Sequence, residues 1–81
     1  MKSLEEFAEM LVKSIVKKAD LIKVTTHEEE ENIKLDILVS KDEMGSVIGK
    51  NGKTIRAIRT LISLYAYQNH LSKVVVDVES F

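Results

Sequence analysis

The three glycines of the chain, Gly45, Gly49 and Gly52, all fall within one eight-residue stretch, and the chain contains no proline. Gly49 and Gly52 bracket Lys50 and Asn51, and Lys53 follows at once. Glycine reaches backbone angles closed to other residues, and it lacks the Cβ that would hold a ligand's backbone away. A helix that starts just after such a loop turns free N–H groups and the positive end of its dipole toward an anion. Lys50, Lys53, Arg56 and Arg59 supply cations at and beyond the loop. The chemistry on offer is the binding of phosphate groups, with Lys50 and Asn51 projecting to solvent.

Other chemistries find less support. The chain has no cysteine, which excludes a disulfide framework, a thiolate zinc site, an iron–sulfur cluster and a cysteine nucleophile. His27 and His70 are isolated, with no partner at metal-ligand spacing, and read as structural or surface residues. The run Glu28 to Glu31 reads as a solvated acidic turn. Gly52, Lys53 and Thr54 end like a nucleotide-binding P-loop, but that motif requires glycine at position 47 and a strand before it. Position 47 is valine and the preceding segment reads as helical. The sequence predicts neither an enzyme nor a cofactor.

The charges are distributed to match the loop. The 81 residues carry 12 Lys plus Arg and 13 Asp plus Glu, a formal net charge of −1. That balance alone speaks against a nucleic-acid partner, which usually meets a basic protein. Yet no acid occurs from Met44 to Val76, where even spreading would place about five. The stretch carries +5 through Lys50, Lys53, Arg56, Arg59 and Lys73, and the remainder carries −6.

Hydrophobic periodicity outlines the elements that must hold the loop. Ser3 and Glu6 form a capping-box pattern, and Leu4, Phe7, Leu11 and Ile15 recur at helical spacing, predicting a helix over 3–19. Ile22, Val24 and Thr26 alternate with polar residues. Ile33, Leu35, Ile37 and Val39 alternate with Lys34, Asp36 and Leu38, and Val74, Val76 and Val78 form a third strand pattern. Asp42 is placed to cap a short helical turn through Val47 and Ile48. A longer helix is predicted over 53–69. Its inner face is Ile55, Ile58, Ile62 and Tyr65, with Leu61 alongside. Its outer stripe is Lys53, Arg56, Thr60, Ser63 and Tyr67. The order helix, strand, strand, short helix, helix, strand implies an α+β fold with three helices on one face of a three-stranded sheet. No linker or repeat divides it, so residues 1–81 are expected to form one domain. No apolar run approaches the roughly 20 residues of a membrane span, and no targeting segment is evident at the start. A soluble cytoplasmic protein with no membrane partner is the expectation.

The segment Val47-Ile48-Gly49-Lys50-Asn51-Gly52-Lys53-Thr54-Ile55 resembles the signature of the KH domain, and the element order is similar to its type II arrangement. Length and the stretch Ala57 to Thr60 further resemble the small bacterial single-KH proteins called KhpA. The resemblance covers essentially the whole chain. It implies that the Gly49–Gly52 loop clamps the backbone of about four nucleotides of single-stranded RNA. Carried over by position, Gly49 and Gly52 are the loop glycines, and Lys50 and Asn51 its variable pair. Val47, Ile48 and Ile55 are core beneath it. Lys53, Arg56 and Arg59 fall where phosphates approach, although Arg59 can also turn sideways. Bases would lie in an apolar groove between the helical edge and a neighbouring strand. The resemblance also implies a homodimer, a heterodimer with a larger Jag-type KH protein, and roles in cell elongation and small-RNA regulation as a post-transcriptional regulator or RNA chaperone. Leu61, Leu64 and Tyr65 are candidates for the dimer contact. Met10 and Met44 read as core fillers.

Two rival binding classes share these residues. A helix-turn-helix DNA binder would use Lys53, Arg56 and Thr60 on a recognition helix, but it needs only one glycine in its turn. A protein-interaction module would treat RNA binding as secondary.

Overall fold

The computed structural model describes residues 2–81. Its main elements are α1 (Lys2–Lys13), β1 (Lys23–Glu28), β2 (Asn32–Val39), α2 (Met44–Ile48), α3 (Lys53–Gln68) and β3 (Lys73–Ser80). Single 3₁₀ turns occupy Ala19–Leu21, Lys41–Glu43 and Lys50–Gly52. The element order is the one the periodicity predicts.

β2 is the central strand. β1 joins it antiparallel through the acidic turn, with Thr25 opposite Asp36. β3 lies parallel to it, with Leu35 opposite Val76. A parallel partner requires a crossover, and α2 and α3 supply it. Strict alternation along β2 decides which face the helices cover. Ile33, Leu35, Ile37 and Val39 are buried, while Lys34, Asp36 and Leu38 stay partly exposed on the opposite face. That uncovered face carries polar rows, with His27 Nε2 3.4 Å from Asp36 and Lys34 Nζ 3.5 Å from Asp77. Such part-solvated pairs add little stability; they keep the face wet.

The core joins β2 to Leu4, Ala8 and Val12 of α1, Val47 of α2, Ile55, Ile58, Ile62 and Ala66 of α3, and Val74 and Val76 of β3. Truncating a fully buried member such as Leu35 would cost about 2–5 kcal/mol. Phe7 and Tyr65 stack between α1 and α3, with ring centroids 4.5 Å apart and planes 16° from parallel. Met44 packs against this core, whereas Met10 is half-exposed.

Several local expectations differ from the structure. α1 begins at Lys2, so Ser3 lies inside the first turn and is not the cap. The useful acid is Glu5, whose Oε2 accepts from the Thr26 N–H at 2.9 Å and the Thr26 hydroxyl at 2.8 Å. The helix ends at Lys13 rather than Ala19. The Ser14 hydroxyl donates to the Leu11 carbonyl at 2.6 Å, and such local bonds compete with the helical ladder. The Ile15 N–H then tightens onto the Val12 carbonyl at 3.0 Å. Two residues on, the Lys17 N–H donates to the carboxylate of Glu43, which diverts the chain. Ile15 consequently leaves the apolar stripe and is exposed. Asp42 sits within a 3₁₀ turn and caps nothing through its side chain; it lies 3.5 Å from Lys18.

α3 stops one residue earlier than the pattern predicts. The Leu71 N–H donates to the Ala66 carbonyl at 2.9 Å and the His70 N–H to the Tyr67 carbonyl at 3.2 Å. These two bonds form a Schellman stop. His70 occupies the position where glycine is usual, at φ 57°.

Candidate functional site

α2 ends where Gly49 adopts φ 78° and ψ 168°. Its N–H donates to the Gly45 carbonyl at 2.8 Å. A Cβ at Gly49 would lie 2.8 Å from the Thr54 backbone nitrogen and closer still to the Thr54 side chain. Glycine is therefore required here twice, by angle and by space. Gly52 is left-handed at φ 74° and ψ 16°. A Cβ there would meet the end of the Arg56 side chain at 3.2 Å and Ile55 Cγ2 at 4.0 Å, so the requirement is the angle.

Between them Asn51 also takes positive φ, 57° with ψ 24°. Asparagine is one of the few side chains that visits this region routinely. By the KH pattern Asn51 is a variable, solvent-facing residue; its backbone angles give a second reason for its type. The N–H of Gly52 closes onto the Gly49 carbonyl at 3.0 Å, and that of Lys53 onto the Lys50 carbonyl. The crest is thereby a defined turn, with Lys50 and Asn51 exposed on it.

α3 begins immediately after Gly52, which as N-cap contributes no side-chain hydrogen bond. The first-turn N–H groups and the positive dipole end thus face the loop. Lys53 and Arg56 are exposed on the first turn of α3. None of the ion pairs among the described residues uses Lys50, Lys53 or Arg56. Beneath them Val47 and Ile55 are buried and Ile48 is partly buried against the core, which fixes the loop from below.

Arg59 is placed differently. Its Nη2 donates to the Val76 carbonyl of β3 at 3.3 Å. It turns sideways and ties α3 to the sheet edge, a second helical turn beyond the loop. The structure thus gathers Gly49, Lys50, Asn51, Gly52, Lys53 and Arg56 at one edge and sets Arg59 apart. The long-range bonds of Glu5, Glu43 and Arg59 have no signature in their own sequence neighbourhoods.

A helix–Gly-x-x-Gly–helix unit flanked by the parallel pair β2 and β3, with α1 and β1 preceding it, defines a KH domain in its type II arrangement. The family model described as KhpA/KhpB, KH domain, matches residues 5–78, and the chain belongs to that family. It is 39% identical over 75 residues to the RNA-binding protein KhpA of Clostridium perfringens, covering 93% of this chain and 99% of that protein. It is 41% identical over 61 residues to the RNA-binding protein KhpA of Borreliella burgdorferi, covering 75% of this chain and 74% of that protein. Among solved structures, Aquifex aeolicus Era bound to GDP and AlF4− superimposes with a TM-score of 0.71 at 16% identity, over 96% of this chain. The chain spans about 30% of Era's length. Era in complex with MgGDPNP and nucleotides 1506–1542 of 16S ribosomal RNA gives the same TM-score over 95% of this chain. At that identity the likeness to Era is one of fold.

Proposed function

We propose that this chain binds single-stranded RNA by clamping about four nucleotides at the Gly49–Gly52 loop. The observation that carries the reading is the loop itself: a hydrogen-bonded, positive-φ turn set at the start of α3, with Lys50, Lys53 and Arg56 outside every ion pair among the described residues. Exposed backbone N–H groups and free cations hold the phosphates, on a crest whose shape the positive φ of both glycines sets. Bases then lie toward the α3–β3 edge, where their own edges can be read. The names of the relatives, RNA-binding protein KhpA, support the same reading. Arg59 contributes by holding β3 against α3, with phosphate contact secondary. The protein acts as a single KH domain in the cytoplasm, as a post-transcriptional regulator or RNA chaperone linked to cell elongation. It forms a homodimer, or a heterodimer with a larger Jag-type KH protein.

The deciding experiment replaces Lys50 and Asn51 together with Asp. Both side chains are exposed, and Asp tolerates the left-handed region of position 51 nearly as well as Asn. Thermal unfolding should shift by no more than a few degrees, while short single-stranded RNA is no longer bound. Retained binding would remove the loop from the site. A titration in which duplex DNA of equal charge binds better than single-stranded RNA would favour a groove-reading helix instead.

A further inference from the structure

A second feature lies on the same edge, at the other end of α3. Tyr67 is 78% exposed, the most exposed of the large apolar or aromatic side chains among the described residues. It stands over a shallow pocket of about 220 Å³, lined by Ser63, Ala66 and Tyr67 of α3, Leu71 and Ser72 of the following turn, and Lys73 and Val74 of β3. Ala66 and Val74 are buried and make an apolar floor. Ser63, Ser72 and Lys73 are exposed around it. Pockets that enclose a drug-sized ligand run to roughly 300–1,000 Å³, so this one suits a single flat ring.

Position and charge indicate whose ring. Lys53, Arg56, Thr60, Ser63 and Tyr67 follow one another at spacings of three and four and are all exposed, so one continuous stripe runs from the loop to the pocket. At 1.5 Å per residue, Lys53 and Tyr67 are about 21 Å apart along the axis. The pocket lies within the acid-free stretch, no carboxylate lines it, and Lys73 makes no ion pair among the described residues. Another hollow, on α1, is lined by Glu6 and Glu9 beside Met10, Lys13 and Ser14, and its two carboxylates would repel a polyanion.

We infer that the Tyr67 pocket is a second subsite for the same single strand, where one base stacks on the Tyr67 ring and Lys73 meets a flanking phosphate. The inference rests on the RNA reading above and extends it: the strand enters at the loop and runs along α3 to a stacking platform. The clamp takes about four nucleotides, so a four-mer has none left for Tyr67, whereas a strand of eight covers about 27 Å even at the ~3.4 Å spacing of a stacked strand.

The test uses the full chain and two oligouridylates, of four and eight nucleotides, followed by fluorescence anisotropy. Base–aromatic stacking is worth enough that Tyr67→Ala should weaken the eight-mer by at least about 5-fold and leave the four-mer unchanged. Tyr67→Phe should restore the affinity. Lys73→Gln should flatten the logarithmic salt dependence by about 0.7 for the eight-mer only. Tyr67 fluorescence should be quenched by the eight-mer, a signal that Tyr67→Phe removes. Unchanged eight-mer affinity in Tyr67→Ala overturns the subsite. Equal loss on both lengths overturns its placement at the far end. The Lys50→Asp, Asn51→Asp variant separates the two readings: if it keeps the eight-mer while Tyr67→Ala loses it, the clamp fails and the subsite stands. Failure of the unaltered chain to bind either strand overturns both.

Discussion

At the residue scale, the loop depends on what two side chains lack, and its support depends on a side chain that is hard to see in sequence. Glu43 is the one buried charged residue among the described residues, 7% exposed, and its carboxylate accepts the Lys17 N–H. This contact holds the tail after α1 against the segment that leads into α2 and the loop. A hydrogen bond to a charged group contributes about 1.5–3 kcal/mol, and its loss leaves a part-buried N–H without an acceptor. Glu43→Ala should therefore lower stability by about 2 kcal/mol in urea unfolding. Glu43→Gln, which keeps a carbonyl acceptor of similar shape, should cost less than half of that. Equal losses for the two variants would mean that packing, not the acceptor, matters at position 43.

At the element scale, α3 connects everything: its start faces the loop, its inner face is core, and its end turns the chain into β3. That end contains a stored cost. A non-glycine residue held in the left-handed region is disfavoured by roughly 1–2 kcal/mol, and glycine gives back about 0.5–1 kcal/mol through its freer unfolded chain. His70→Gly should thus stabilise the protein by roughly 0.5–1 kcal/mol, a rise of a few degrees in Tm. No rise in a calorimetric scan would show that the imidazole has an offsetting contact. The same helix shows what sequence can and cannot convey. Its extent, the alternation of β2 and β3 and the element order were legible, because burial on one face repeats at a fixed period. Gly49 and Gly52 were legible because glycine is absent outside this stretch. The end of α1 was not, because the periodic pattern continues through Ile15 and Val16 while a carboxylate 26 positions away takes the Lys17 N–H. Nor was the Schellman stop, since histidine does not signal a left-handed residue as glycine does. Arg59 left two directions open, and only the nearness of the Val76 carbonyl decides between them.

At the scale of the whole molecule, the net charge of −1 hides a cationic edge on an otherwise acidic body. Long-range attraction of a polyanion is then weak, and affinity comes from a few local contacts. With three or four phosphates neutralised at roughly 0.7 each for single strands, log affinity for a short RNA should fall with log salt at a slope of about −2 to −3. A slope much steeper than that would mean that cations beyond the loop edge take part. On the clamp proposed above, so few contacts would make one copy bind weakly, and joining two copies would be the economical remedy. A second clamp on the same strand binds at high effective concentration, which can raise avidity by about 10²–10⁴ without any new kind of contact. α3 offers a surface for the pairing. Leu61 and Leu64 are 43% and 53% exposed on successive positions of its free side, whereas the ring of Tyr65 is already stacked on Phe7. Sedimentation at tens of micromolar should give about twice the 9.2 kDa of the chain. Replacing Leu61 and Leu64 with Glu should return the single mass with the fold intact, since neither residue is core. The same variant should keep its affinity for a short strand yet lose the tighter binding to RNA long enough for two clamps. A single mass for the unaltered chain at that concentration would exclude the dimer, and the affinity of one loop would then have to suffice.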